Sequence, residues 1–276
     1  MSNGIRLHVV TDGPEDGPPV LLLHGFPEFW YGWRHQIPAL AAAGYRVIAP
    51  DMRGYNKSDK PKGLQSYTLD VLAADIAGLI DALGYEQVRL VGHDWGGAVA
   101  WVVAFLYPER IKKLAILNSA QPWVLERAAR KNPEQRRRSW YILFFQLPLI
   151  PELALGWGNW NTTLRVLKRS GLDQTFSPED LEAYRASYQE RGTMTAMLNY
   201  YRSAPRSKLD IKTRRVPMPV QVIWGKQDVA LTEGLAEASL KYTTDGSVTF
   251  IDEATHWVQH DAPEQVNQIL LDFFQD

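Results

Sequence analysis

The sequence predicts an α/β protein: a mostly parallel sheet covered by helices on both faces, with a block of helices inserted near its middle. Three observations carry this. Short apolar, β-branched runs alternate with amphipathic stretches of helical spacing from Ile5 to Ala120. The same alternation resumes at Pro219 and continues to Phe274. Between them, from Gln121 to about Lys212, no segment reads convincingly as a strand. Strands separated by helices require crossover connections, and crossovers build parallel sheets with both faces buried.

The elements follow in order. Residues 5–10, 19–23, 45–49, 88–91 and 111–117 read as strands, with helices near 32–43, 68–83 and 97–107. After the insertion come a strand at 219–224, a helix at 232–241, a strand at 247–251 and a last helix at 263–274. The insertion carries helix-start signals, clearest in Ser177-Pro178-Glu179-Asp180: Ser as N-cap, Pro at the first helical position, acids in the first turn. The expected organisation is a core formed by residues 1–120 and 213–276 and a helical cap formed by 121–212.

Composition narrows the function. A chain of 276 residues can bury a substantial core, and 30 basic against 31 acidic residues give a formal charge of −1. That sum offers no general attraction for nucleic acid or an anionic membrane, so neither is an expected partner. Without Cys there is no disulfide framework, thiolate nucleophile or Cys-type zinc site. The opening Met1-Ser2-Asn3-Gly4-Ile5-Arg6 shows no basic-then-apolar signal, and no apolar run is long enough to span a bilayer, which makes the cytoplasm the expected compartment. The most apolar stretch, 141–157, is interrupted by Pro148 and Pro151 and carries Gln146 and Glu152, so burial in protein is expected rather than contact with lipid. Arg136-Arg137-Arg138 reads as a solvated helix face.

The chemistry centres on Gly92-His93-Asp94-Trp95-Gly96-Gly97. Asp94 stands between the strand at 88–91 and the helix at 97–107, the strand-to-helix turn called a nucleophile elbow, where glycines remove the Cβ atoms that would clash. Most such turns carry Ser. A carboxylate can instead displace a leaving group at a saturated carbon and form an alkyl ester. The plain alternative for this short motif is a Gly-rich loop capping a buried strand.

An ester needs a base to activate water, and the base needs a carboxylate to orient it. In the chain order of this fold the acid and then the histidine follow the elbow. Asp228 follows the strand at 219–224, and His256 follows the strand at 247–251, each just beyond a strand's carboxyl end where parallel sheets place ligands. Asn118-Ser119-Ala120, after the strand at 111–117, supplies no carboxylate. Singly, Asp228 could be a capping acid and His256 a satisfied histidine; together they complete a triad. His260 lies four residues beyond His256, but the helical metal motif with its intervening Glu is missing, so no metal is expected. The oxyanion donors are expected to be the amides of Trp95, after the nucleophile, and Phe26, in His24-Gly25-Phe26-Pro27, where Pro27 fits a cis bond.

The strings His24-Gly25-Phe26-Pro27-Glu28, Asp51-Met52-Arg53-Gly54-Tyr55, Gly92 to Gly97 and Gly225-Lys226-Gln227-Asp228 resemble the epoxide hydrolases of the α/β-hydrolase fold, over nearly the whole chain. The resemblance implies conversion of an epoxide to a vicinal diol with water and no cofactor. It also implies two cap tyrosines that donate to the epoxide oxygen. Tyr141, in Tyr141-Ile142-Leu143-Phe144-Phe145-Gln146, and Tyr201, in Asn199-Tyr200-Tyr201-Arg202, match those motifs, with Tyr200 the competing choice. Adjacent helical residues point about 100° apart, so one of the pair is expected to face the site. Asn3-Gly4 resembles the turn after the family's first strand, which implies that this edge strand is absent or rudimentary.

Phe26, Trp95, Phe145 and Trp257 are expected to line an apolar pocket for an uncharged epoxide. Dehalogenases with the same Asp nucleophile are the nearest rivals. Haloalkane dehalogenases often place Asn where this chain has Phe26, and fluoroacetate dehalogenases place Arg where it has Trp95. A ligand sensor without turnover is the non-enzymatic alternative. Detoxification and catabolism are both compatible roles, and monomer and homodimer are both compatible states.

Overall fold

Alternation of side chains along each strand decides what covers the two faces of the sheet. A computed structural model describes residues 1–207, 209, 211 and 215–275. Among them are seven strands: β1 (Val9–Asp12), β2 (Pro19–Leu23), β3 (Arg46–Pro50), β4 (Val88–His93), β5 (Ile111–Leu117), β6 (Val216–Gly225) and β7 (Thr243–Ile251). They form one sheet in the order β1-β3-β2-β4-β5-β6-β7. β1 runs antiparallel to β3, and every other pair is parallel. The core helices are α1 (Gln36–Ala42), α2 (Leu69–Ala82) and α3 (Trp95–Leu106). Between β5 and β6 lie α4 (Pro122–Lys131), α5 (Pro133–Arg138), α6 (Trp140–Phe144), α7 (Ile150–Gly156), α8 (Asn161–Ser170), α9 (Pro178–Gln189) and α10 (Thr193–Ser203). The chain closes with α11 (Gly234–Leu240), α12 (Val258–Asp261) and α13 (Pro263–Phe274). In β2, Leu21 and Leu23 pack with Leu72 and Ile76 of α2 and Trp101 of α3, while Val20 and Leu22 pack with Leu40 of α1 and Phe274 of α13.

The α/β class agrees with the sequence reading, and among the described residues no strand lies between β5 and β6; the expected boundary at residues 212 and 213 lies outside the described residues. Four details differ. The first strand begins at Val9, because the backbone before it bonds to the loop after β3: Asp59 N–H donates to Arg6 O, and His8 N–H donates to Ser58 Oγ. Ahead of it lies the isolated bridge Ser2–Ile5. β6 starts at Val216 and its partner β7 at Thr243, ahead of the expected starts at 219 and 247, and Val216 pairs with Thr243; a register shift precedes Pro219, because Pro217 and Pro219 have no N–H for the ladder.

The third difference concerns 141–157, which breaks into α6 and α7. Phe145 and Leu155 turn inward, but Leu143, Leu149, Leu153 and Trp157 are each more than 70% exposed, so the expected burial holds for one side of the segment only. Fourth, Arg138 leaves the solvated face shared by Arg136 and Arg137. Its guanidinium donates to the carbonyl oxygens of Asp228 and Leu231 and ties α5 to the loop beyond β6. Among the described residues, no helix is long and apolar enough to cross a membrane.

One buried ion pair braces the loop after β3. Arg53 Nε and Nη2 each donate to Asp75 of α2 at 2.6 Å, with both side chains at most 5% exposed. Removing one partner leaves an unpaired buried charge, which costs about 3–5 kcal/mol. Arg53→Met is therefore expected to lower unfolding stability in urea by that amount, and Arg53→Met/Asp75→Leu to restore most of it. A single-variant loss below about 1 kcal/mol would contradict a structural role for the pair.

Candidate active site

Asp94 sits between β4 and α3 at φ 49° and ψ −118°, outside the helical and extended regions. The strain is tolerated because the surroundings leave no alternative. A Cβ on Gly96 would stand 2.1 Å from the Leu23 carbonyl oxygen, and one on Gly25 would stand 2.4 Å from Asp94 Cβ. Only glycine lets the β2 and β4 ends approach this closely. The Asp94 carbonyl oxygen accepts from Ser119 Oγ at 2.7 Å and from Ala98 N at 3.0 Å, which holds the elbow from below.

The two carboxylate oxygens of Asp94 are in different settings. Oδ1 accepts from the Phe26 amide at 2.7 Å. Oδ2 lies 3.5 Å from His256 Nε2. The loop that aims the Phe26 amide contains the cis bond Phe26-Pro27. It is braced by His24, whose Nε2 accepts from Met52 N at 3.0 Å and whose Nδ1 donates to Gly25 O at 3.0 Å. Acceptance at Nε2 requires a neutral ring, and burial correspondingly pushes the His24 pKa down. Trp95 opens α3, so its amide belongs to the first turn, whose N–H groups have no acceptor within the helix.

His256 Nδ1 lies 2.7 Å from Asp228 Oδ2. Asp228 is fully engaged: Oδ2 also accepts from Asn118 Nδ2 at 2.9 Å, and Oδ1 accepts from the amides of Ala230 at 2.7 Å and Leu231 at 2.9 Å. Burial alone would raise the Asp228 pKa, but the His256 charge and these donors outweigh it and hold the carboxyl below the usual range. Burial alone would lower His256; Asp228 and Asp94 outweigh it and hold the imidazole well above the ordinary histidine range. Asn118, in a stretch that itself supplies no carboxylate, thus fixes the carboxylate that faces His256.

A second buried network lies behind His256. Glu28 Oε1 accepts from Tyr184 Oη of α9 at 2.6 Å and from His260 Nε2 at 2.7 Å, and Oε2 accepts from Gln259 Nε2 at 3.1 Å and faces His93 Nδ1 at 3.2 Å. His93 Nε2 donates to the His256 carbonyl oxygen at 2.8 Å. Burial would raise the Glu28 pKa, yet His260 and His93 hold it well below the carboxylate range. His260 Nδ1 accepts from Arg34 at 2.7 Å, and Arg34 also pairs with Asp180 of α9 at 3.0 Å. Both His260 nitrogens are therefore committed within the protein. Glu28, His93 and Gln259 were not singled out from the sequence, although Glu28 stands one residue beyond the loop that was.

Above Asp94, the helical insertion brings an aromatic group together. The Tyr201 ring lies 4.9 Å from Trp95, 5.3 Å from Phe26, 4.9 Å from Phe145 and 5.9 Å from Tyr141, centroid to centroid. Burial, then the Asp94 charge, push both the Tyr141 and the Tyr201 phenol up, so both stay protonated. Among the described residues, neither hydroxyl donates to a protein acceptor. Tyr200 is different: it is fully buried, and its hydroxyl donates to Arg53 O at 2.7 Å. Trp257 is set apart from the group. Its indole donates to Ser170 Oγ at 2.9 Å, and its ring packs on His256 at 5.0 Å and Phe176 at 5.5 Å.

A family model described as alpha/beta hydrolase fold matches residues 18–263. AB hydrolase superfamily protein YfhM of Bacillus subtilis is 44% identical over 275 residues, covering 100% of this chain and 96% of that protein. Epoxide hydrolase 4 of Mus musculus is 38% identical over 280 residues, covering 99% of this chain and 77% of that protein. The crystal structure of Bacillus megaterium epoxide hydrolase in complex with an inhibitor has a TM-score of 0.92 at 34% identity, covering 100% of this chain and 99% of that one. With its Asp-bearing elbow, its helical insertion and these full-length similarities, the chain belongs to the α/β-hydrolase family, in its epoxide-hydrolase branch.

Proposed function

We propose that the protein hydrolyses an apolar epoxide to a vicinal diol through an alkyl ester on Asp94, beneath a cap formed by the helices between β5 and β6. The observation that carries this reading is the pair Tyr141 and Tyr201: protonated phenols, free of protein acceptors, gathered with Phe26 and Trp95 over the carboxylate. Ring opening creates an alkoxide, a poor leaving group that needs a proton or strong hydrogen bonds, and phenols supply them at neutral pH. A halide leaving group needs no proton, and Phe26 and Trp95 stand where the haloalkane dehalogenases often place Asn and the fluoroacetate dehalogenases place Arg.

The bonding of Asp94 assigns its oxygens. Oδ1, held by the Phe26 amide, stays in the oxyanion site, and Oδ2 attacks an epoxide carbon while Tyr141 and Tyr201 hold the oxygen. The C–O bond of the ring breaks as the ester forms, and a phenol proton passes to the released oxygen. His256, oriented by Asp228, then takes a proton from water, whose oxygen adds to Asp94 Cγ. The charge gathers on Oδ1, facing the amides of Phe26 and Trp95; collapse breaks the Cγ–Oδ2 bond, the imidazolium returns its proton to the departing oxygen to complete the diol, and the proton of the regenerated carboxylic acid restores the phenol. Phe145 joins Phe26 and Trp95 in the substrate-facing surface, and Trp257 supports the His256 ring from behind.

The phenols give the test of the reaction class. An aryl epoxide is expected to yield its vicinal diol, with no halide released from haloalkanes. Tyr201→Phe should slow the alkylation step by about 10²-fold, the lower end of what a proton donor contributes. Tyr200→Phe should leave that step near wild type and cost about 1 kcal/mol of stability, the net worth of one hydrogen bond. Equal rate effects at the two positions, or halide release without diol, would reject the reading.

The electrostatics times the base. Free His256 faces two carboxylates that raise its pKa; when Asp94 becomes a neutral ester, one is lost and the pKa falls. A protonated imidazole cannot accept from water, so ester hydrolysis should weaken as pH drops through this lowered value. Asp94→Asn imitates the neutral side chain. NMR titration of the His256 ring should therefore show a lower pKa in that variant than in the wild type, and an unchanged or higher value would contradict the coupling.

A further inference from the structure

The large apolar side chains left exposed are not scattered. Seven of the eleven among the described residues fall between Trp140 and Trp157. Trp140 and Leu143 share one face of α6 and Ile150 and Leu153 one face of α7, each at a spacing of three, while Leu147 and Leu149 in the link between the helices and Trp157 just beyond α7 are exposed as well, Leu149 at 71%. Single exposed apolar residues are ordinary, but a run of this kind marks an interaction surface. Leu149 is also held at φ 63°, a left-handed conformation that a residue with a Cβ resists. Exposure and strain thus fall on the same side chain, and neither stabilises the fold.

Charge identifies the occupant. The one ionisable acid or base of 140–157 apart from Tyr141 is Glu152, and Arg202 neutralises it from within, with Nη1 to Oε1 at 2.7 Å and Nη2 to Oε2 at 3.0 Å. Flanking this stretch, Arg136 and Arg137 of α5 and Arg165, Lys168 and Arg169 of α8 are exposed and, among the described residues, have no ion-pair partner. The near-zero net charge conceals this asymmetry. Residues 121–207 hold thirteen Lys and Arg against eight Asp and Glu, and the rest of the chain holds seventeen against twenty-three. In an isologous dimer over this face, two cationic rims would meet. An anionic bilayer surface complements both features, apolar side chains entering the interface and cations facing lipid phosphates.

We propose that the outer face of 140–157 docks the protein peripherally on an anionic lipid surface. The test is sedimentation with vesicles of phosphatidylcholine alone and of phosphatidylcholine with phosphatidylglycerol. No substrate is present, so the outcome is independent of the reaction proposed above. Wild type should partition onto the anionic vesicles and be released by added salt. Leu143→Ser/Leu153→Ser/Trp157→Ser should weaken that partitioning at least about tenfold while the thermal midpoint stays unchanged, since these side chains are exposed. Arg136→Glu/Arg137→Glu should weaken it on anionic vesicles as well. No partitioning by the wild type would overturn the proposal. So would a concentration-dependent dimer that the triple variant abolishes in the absence of vesicle binding, which would assign the face to a second copy of the chain.

Discussion

Everything at this site depends on a backbone conformation that a residue with a side chain resists. Asp94 is held at positive φ because the ends of β2 and β4 close on it with glycines at the contacts, and Ser119 and Ala98 pin its carbonyl. That constraint separates the two carboxylate oxygens, giving one to the Phe26 amide and leaving the other beside His256. A side chain free to rotate would exchange them, and no oxygen would be reserved for the oxyanion site. Pre-organisation of this kind is where electrostatic stabilisation of a developing charge acquires its value.

The Glu28 network extends the constraint to the insertion. Its carboxylate receives Tyr184 from α9 and, through His93, touches the carbonyl of His256, the proposed base. A buried anion with its hydrogen-bonding capacity filled is rigid, because displacing any partner leaves a charge without compensation. Arg34, bridging His260 to Asp180, fastens the same seam nearer the surface. Arg138, donating to the Asp228 carbonyl, fastens the opposite side. The helices that carry Tyr141 and Tyr201 are thereby held in register with the triad beneath them.

What could be read from the sequence was what local patterning encodes. Strand alternation, the glycines of the elbow and the positions of Asp228 and His256 beyond strand ends are short-range signals, and they pick out Asp94, Asp228, His256 and the Phe26 amide, which the structure brings together. Tyr200 and Tyr201 cannot be separated by pattern, since what distinguishes their hydroxyls is a hydrogen bond from Tyr200 to Arg53 O, 147 residues away. The contacts of Arg138, Asn118 and Gln259 are hidden for the same reason: their partners are distant in the chain. The run at 141–157 was misjudged because hydrophobicity reports the preference of a side chain and not the presence of a neighbour to satisfy it. The first strand was displaced because the loop at 51–59 offered its backbone other partners.

The central claim is that Asp94 becomes an ester through Oδ2 and that water attacks its carbonyl carbon, never the epoxide. A single turnover with excess enzyme in ¹⁸O-water measures this directly, by mass spectrometry of the diol and of the peptide containing Asp94. The account predicts an unlabelled first-turnover diol and one ¹⁸O in the Asp94 carboxylate. Label in the first-turnover diol, with an unlabelled Asp94, would contradict it.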